Sequence, residues 1–207
     1  MNLYVVGPAK HYANFISDVV LVDDIKNAQI VLFTGGEDVH PSIYGKLAVT
    51  NVYTNIERDF EERAIFKSIR PDQLAVGICR GSQLLCALNG GNLVQNCTQH
   101  ALSRTHPIFS ADGSMMYEIT STHHQMQYPF DLPREDYEIL FYARQCPMTI
   151  QGDHVDKRIV FGHEPEVVLY KIPNKPKCLA IQGHPEMMPN SPVAKMLDKL
   201  IKSYVTQ

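Results

Sequence analysis

Five consecutive residues, Gly77-Ile78-Cys79-Arg80-Gly81, set a cysteine between a short apolar run and a helical pattern, with a glycine two positions to either side. A cysteine on a sharp strand-to-helix turn is held clear of its neighbours as a nucleophile, and flanking glycines permit both the turn and close substrate approach. The start of the following helix adds to this, because its unpaired amides and its dipole favour a thiolate over a thiol. The amide of Arg80 would point toward the oxyanion formed when sulfur attacks a carbonyl. A cysteine in such a place can also be buried and inert, since free cysteine is among the most buried residue types.

A thiol nucleophile needs a base that takes its proton and later gives one to the leaving amine, and the base needs an orienting partner. The run "CLAIQGHPEMMP" ends an apolar stretch with His184 and Glu186. Residues two apart on extended chain project to one side, so Glu186 would reach one imidazole nitrogen while the other faces the sulfur. Pro185 restricts His184 to an extended backbone. Without the cysteine, a plain surface His-Pro-Glu turn would be the simpler reading. Histidine occurs nine times, so spacing and strand-end position carry the assignment.

These groups need elements to position them. "LYVVG" (3–7), "VVLV" (19–22), "IVLFTG" (30–35) and "LAVGI" (74–78) have the composition of strands buried on both faces. Between the last two, Phe60, Ala64, Ile65 and Ile69 recur at helical spacing, with Glu61, Glu62 and Arg63 on the opposite face. A second helix follows the cysteine and stops at Gly90-Gly91, where glycine supplies a left-handed cap. The pieces "MMYEIT", "YEILFYAR", "RIVFG", "EVVLYKI" and "KCLAIQG" predict a far sheet edge plus a small antiparallel layer, closed by a helix around 192–204. Residues 40–56 and 98–113 read as long loops of the kind that shape a site. The β-α-β rhythm without repeats or linkers predicts one α/β domain spanning residues 1–207.

The pieces "GICRGSQLL…NGGNLVQ" and "AIQGHPE" together resemble the class I glutamine amidotransferase family. Within it, "FTGGEDVHPSIYG", "ERDFEERAI" and "STHHQ" resemble the γ-glutamyl amide hydrolase branch, which includes γ-glutamyl-γ-aminobutyrate hydrolases; the similarity runs from Thr34 to Glu186. The resemblance implies a flavodoxin-like three-layer sandwich, a mostly parallel sheet with helices on both faces, a Cys-His-Glu triad and no cofactor or metal. It makes Cys79 the nucleophile, His184 the acid and base, and Glu186 the orienter. It adds Gly36 as the second oxyanion amide beside Arg80. Gln83 and the segment His123-His124-Gln125 would hold the γ-glutamyl part of a small-molecule substrate. A synthetase partner on another chain and a homodimer both fit the family. Family members usually carry an aromatic residue where Gly183 stands, often Asn at Cys86 and Pro at Thr34; the glycine would leave space or flexibility beside the base.

Other features are simpler. Nineteen basic and 22 acidic side chains give a formal charge of −3 without long runs of one sign, which offers nothing to nucleic acid or a membrane surface. The five cysteines, Cys79, Cys86, Cys97, Cys146 and Cys178, form neither a disulfide framework nor a zinc-like cluster, which fits a reducing cytoplasm. The start of the sequence lacks a basic segment followed by a long apolar one, and no apolar run reaches membrane length. His123 and His124 point to opposite sides as neighbours on extended chain and do not suggest a metal site. Asp38 and His40 read as capping or loop hydrogen-bonding groups. Glu57, Arg58 and Asp59 read as the solvated start of a helix, although the family resemblance places this segment close to the active-site mouth, and Met187 and Met188 read as packing residues.

Overall fold

The computed structural model describes residues 1–48, 52–97, 100, 104–144, 150–151 and 163–205, the pair 150–151 in backbone only. Its centre is parallel. Strands β1 (Asn2–Val6), β2 (Val20–Leu21), β3 (Ile30–Phe33) and β4 (Leu74–Ile78) stand in the order β2-β1-β3-β4. Every residue of β3 and β4 is buried, as their aliphatic composition demands. The run at 19–22 departs from its prediction: β2 is a two-residue edge strand, with Val20 62% and Leu21 44% exposed. It pairs with β1 alone and has no outer neighbour to bury it.

Two short strands, β5 (Asn92–Val94) and β6 (Asn96–Cys97), leave the main sheet to pair with later partners, whereas β7 (Arg104–Ser110) joins the sheet itself. With β8 (Met116–Ser121), β10 (Tyr137–Ala143) and β12 (Glu164–Tyr170) it forms an antiparallel half, while β9 (Met126–Tyr128) pairs β5 and β11 (Ile150–Gln151) pairs β6. The last strand, β13 (Lys177–Ile181), is inserted between the halves, parallel to β4 and antiparallel to β12. The nine strands therefore run β2-β1-β3-β4-β13-β12-β10-β7-β8.

Residues 104–110 were expected in a loop and instead form β7. Among the described residues β8 is the sole neighbour of the strand at Pro107, because β10 pairs only with Ile108 to Ser110; that is where a proline is tolerated. The piece "RIVFG" lies outside the described residues.

Helices cover both faces. Alternate strand residues point to opposite sides. Ile30, Leu32, Val76 and Ile78 meet Val193, Ala194, Leu197 and Ile201 of α3 (Pro192–Val205), numbered after α1 (Ile56–Ser68) and α2 (Arg80–Leu88). Val31, Phe33 and Ala75 meet Phe66 of α1 and Leu84 and Leu85 of α2 on the other side. α2 ends at Gly90, whose φ of +96° is the expected left-handed stop.

α1 corrects the sequence reading of its faces. Asp59, Glu62 and Phe66 are the buried residues, while Phe60 is 51% exposed and Ala64 lies on the solvent side. The cause is a guanidinium beneath the helix, described below. No helix among the described residues is long and apolar enough to cross a membrane.

Candidate active site

Three adjacent parallel strands end at one rim, and the site is built from the residues that follow them. Phe33 of β3 pairs with Gly77 of β4, and Ile78 of β4 pairs with Ile181 of β13. Cys79 thus emerges between the turn at Gly35-Gly36 and the segment carrying His184, the carboxyl-end location where open α/β sheets bind ligands. The Cys79 amide donates to the Ile181 carbonyl at 2.8 Å, which fastens the Cys79 backbone to the strand that leads to His184.

Cys79 has φ 52° and ψ −110°, a conformation that costs an L-residue about 1–3 kcal/mol. The surrounding structure holds it there. Its carbonyl accepts from Ser82 N at 3.0 Å, Gln83 N at 3.2 Å and Ser82 Oγ at 2.7 Å. The two flanking glycines are required by packing: a Cβ on Gly77 would strike the backbone of Gly81, and one on Gly81 would strike the Phe33 carbonyl. The elbow can therefore press against β3 only with glycine at both positions.

His184 and Glu186 meet as expected, by a different backbone route. Residues Pro185–Met187 form a 3-10 turn, not extended chain. Proline occupies its first position, where a fixed φ and a missing N–H suit a helical turn. The turn brings His184 Nδ1 within 2.6 Å of Glu186 Oε1. Thr120 of β8 braces the other side, its hydroxyl donating to the His184 carbonyl at 3.0 Å and accepting from the His184 amide at 3.2 Å. Among the described residues Nε2 has no hydrogen-bond partner of regular geometry, and the nearby Cys79 sulfur acts on the ring first as a hydrogen-bonding group and then through its charge. Burial alone would lower the imidazole pKa, but Cys79 and Glu186 together outweigh it and push it up to about 10.

Cys79 opens on a cavity of about 150 Å³ whose wall includes Gly36, Arg80, Gln83, His123, His124 and Gln125. The residues that the resemblance assigns to the oxyanion hole and to substrate contact thus line one space with the thiol. Gln83 Nε2 donates to the Gln125 carbonyl at 2.8 Å, and His123 Nδ1 donates to the same oxygen at 2.8 Å. Both side chains therefore brace the 123–125 backbone. His124 turns the other way, its Nε2 2.8 Å from Asp38 Oδ1, so the two histidines diverge as predicted. Among the described residues, no group of three or more His, Cys, Asp or Glu is arranged to hold a metal ion. A larger cavity, about 700 Å³, opens beside Phe130, Tyr137 and Tyr142, and its wall includes none of Cys79, His184 and Glu186.

The Arg80 side chain explains the inverted face of α1. It is 1% exposed and contacts Glu62, with Asp59 Oδ1 at 2.5 Å. Glu62 also accepts from Arg58 Nε at 2.8 Å, and Arg58 continues to Glu37 at 2.7 Å and to the Gly35 carbonyl at 3.0 Å. Asp59 Oδ2 accepts from the His40 amide at 2.8 Å. Burying these charges is tolerable because each carboxylate has a guanidinium partner. This network joins Arg80, the residue after Cys79, to the loop carrying Gly36, so Arg58 and Asp59 are not merely a solvated helix start. His40 does cap the 3-10 turn Pro41–Tyr44, accepting from the Ser42 amide, as expected.

Sequence reading missed Tyr12, Thr120 and Glu62, and for Arg58 and Asp59 it gave the segment's place near the site but no contacts. Tyr12 stacks near His184 with ring centroids 6.2 Å apart, and its hydroxyl lies 2.5 Å from where a Cβ on Gly35 would stand. Burial first, then the charges of Glu186 and Cys79, raise its phenol to about 12, so it stays protonated beside the base. No spacing signal announces these residues; only Gly35-Gly36 hinted that something large lies close. Gly183 also behaves differently from its expectation. It leaves no space, because a Cβ there would meet Ile119 Cγ1 at 2.6 Å and the Thr120 carbonyl at 2.8 Å. Strand β8 fills the region assigned to an aromatic side chain.

Comparisons with known proteins bear on the family and the fold. The Peptidase C26 family matches residues 17–131, a span that holds Cys79, Gln83 and His123-His124-Gln125. The glutamine amidotransferase-like protein YvdE of Lactococcus lactis subsp. lactis is 28% identical over 189 residues, covering 88% of this chain and 73% of its own. Two solved structures share the fold. A GMP synthase component from Thermoplasma acidophilum superposes with a TM-score of 0.64 at 14% identity, over 100% of this chain and 94% of its own. A glutamine amidotransferase from Thermotoga maritima gives 0.50 at 12% identity, over 99% and 94%. The architecture is the flavodoxin-like α/β sandwich of these amidotransferases, and with more than half of its length matched the chain belongs to the Peptidase C26 family of class I glutamine amidotransferase-like proteins.

Proposed function

We propose that this chain hydrolyses the γ-amide bond of glutamine or a γ-glutamyl amide through a γ-glutamyl thioester on Cys79. The observation that carries the reading is a thiol on a strained elbow beside an imidazole whose far nitrogen is held by Glu186 at 2.6 Å. Cys79 gives its proton to His184, which the sulfur and Glu186 hold charged well above neutral pH. The sulfur attacks the amide carbon, and the oxyanion meets the amides of Arg80 and Gly36, each worth about 3–4 kcal/mol to the transition state. His184 passes its proton to the departing nitrogen as the C–N bond breaks. Thioester formation removes the negative sulfur, so the imidazole loses one of its two stabilising neighbours and becomes a base for water. Water adds to the thioester, the C–S bond breaks, and glutamate leaves. Glu186 orients the ring throughout, and no cofactor takes part in any step.

The test is glutamate release from glutamine, γ-glutamyl-aminobutyrate, γ-glutamyl-putrescine and γ-glutamyl peptides, with mass-spectrometric trapping of the thioester. Cys79→Ala should abolish turnover with an unchanged melting profile; an active Cys79→Ala protein refutes the mechanism. Glutaminase activity that appears only with a synthetase added would assign the chain as an ammonia-supplying partner. Failure of a glutamine-analogue diazoketone to label Cys79 would point to a binding module.

A further inference from the structure

One carboxylate ties together the two walls of the cavity. Asp38 follows the Gly35-Gly36 turn and is 8% exposed. Its Oδ2 accepts from the Tyr53 amide at 2.9 Å, while its own amide donates to the Tyr53 carbonyl at 2.8 Å. Its other oxygen, Oδ1, lies 2.8 Å from His124 Nε2. Asp38, Tyr53 and His124 all line the space into which Cys79 opens. Each oxygen of the carboxylate therefore already has a protein partner. It spans the cavity, from the loop that carries Gly36 to the segment that carries Gln125.

We propose that the Asp38–His124 pair is a positioning clasp that fixes the separation of the two cavity walls and thereby sets affinity for the γ-glutamyl part of the substrate. The proposal rests on the hydrolase reading for the identity of the ligand. Gln125 is the residue after His124, and its carbonyl is already gripped by Gln83 and His123 from behind. The clasp is the grip from the front. Without it, the segment stays attached to α2 but loses its tie to the oxyanion loop. The effect should fall on binding more than on chemistry, because the hydrogen bonds of the pair run to each other and to Tyr53 and not to Cys79, His184 or Glu186.

The clasp also responds to pH. The hydrogen bond and charge of Asp38 raise the His124 imidazole above its ordinary 6.5 against the effect of partial burial. Its ionic part is present at low pH and is lost as pH rises through that raised value. Asp38 is the charged group acting on His124; Glu37, Cys79, Arg80 and His123 share the cavity wall, and Tyr44 lies near Asp38 from the neighbouring 3-10 turn.

The test compares wild type, Asp38→Asn, His124→Gln and the double variant in the full chain. Steady-state constants for the best substrate of the panel are measured from pH 5.5 to 9, together with NMR titration of the His124 imidazole and calorimetric binding of L-glutamate. We expect wild-type KM to rise above the His124 pKa. At pH 6, Asp38→Asn should raise KM about tenfold with kcat within about threefold, as expected for loss of a charge-assisted hydrogen bond. His124→Gln should flatten the pH dependence of KM, and the double variant should be no worse than the poorer single one. An ordinary His124 titration in wild type, unchanged KM and glutamate affinity in both singles, or equal losses in kcat and kcat/KM would overturn the proposal. If Asp38→Asn does not melt cooperatively, the partly exposed His124→Gln carries the test. Absence of turnover with every substrate refutes the hydrolase reading alone, since the titration and glutamate binding still read the clasp.

Discussion

Replacing His123 with asparagine should flatten the acid limb of the protein's stability. His123 is 3% exposed and donates from Nδ1 to the Gln125 carbonyl. Burial, reinforced by His100 and His106 and resisted by Glu166, lowers its pKa from 6.5 to about 3. The folded protein thus refuses a proton that the unfolded chain accepts, so stability is full above pH 6.5 and falls as pH drops toward 3. The slope is about 1.4 kcal/mol per pH unit, which gives about 2 kcal/mol at pH 5 and a limit of about 4–5 kcal/mol. That is a large share of a typical total of about 5–15 kcal/mol. His106 acts in the opposite sense. Glu166 raises its pKa against burial, so its contribution is present below 6.5 and is lost as pH rises through the folded value. A difference measurement removes this background. Asparagine keeps an N–H near the Nδ1 position without a titrating ring. Urea unfolding of both proteins at pH 8, 7, 6 and 5 should show the gap between them closing by about 2 kcal/mol between pH 7 and 5. Parallel curves, or an imidazole resonance of His123 titrating near 6.5, would refute the reasoning.

Arg80→Met should leave Asp59 and Glu62 buried without their shared counter-ion and cost about 3–5 kcal/mol. Calorimetry should show a melting temperature lower by about 10 °C, partly restored by adding Asp59→Asn and Glu62→Gln. Gly183→Phe, the change toward the family's usual residue, should destabilise by about 1–3 kcal/mol or more because Ile119 and Thr120 occupy the space. It should also lower kcat, since Thr120 holds the backbone of His184; an unchanged kcat and melting temperature would show that β8 yields freely.

The parts of the site visible in sequence are those encoded locally. Gly77 and Gly81 announce the elbow because backbone from α2 and β3 lies where their side chains would be. His184 and Glu186 are visible because a short turn suffices to join them, although the turn is helical and not extended. The face of α1 was not visible. Amphipathic spacing assigns Phe60 inward and Glu62 outward, and the reverse holds because Arg80, 18 residues after Glu62, supplies a buried positive charge. The same applies to β12, where Glu164 and Glu166 are buried beside His100 and His106, each pair at 3.0 Å. Such pairings between distant segments leave no mark on hydropathy. β7 was missed for a related reason: its polar first half is stabilised by pairing with β8, not by aliphatic composition.

The placement of β13 has a consequence for how this chain is made. Residues 177–181 occupy the middle of the sheet, between β4 and β12, yet they follow every other strand of that sheet out of the ribosome. Until they emerge, the two halves have no common neighbour, and the thiol at residue 79 waits with its histidine still in the exit tunnel. Closure is the insertion of a central stave into two preformed panels, a long-range step of the kind that slows folding. Assembly of the Cys79, His184 and Glu186 cluster and completion of the sheet are therefore coupled, and a nascent chain halted before residue 177 can have neither.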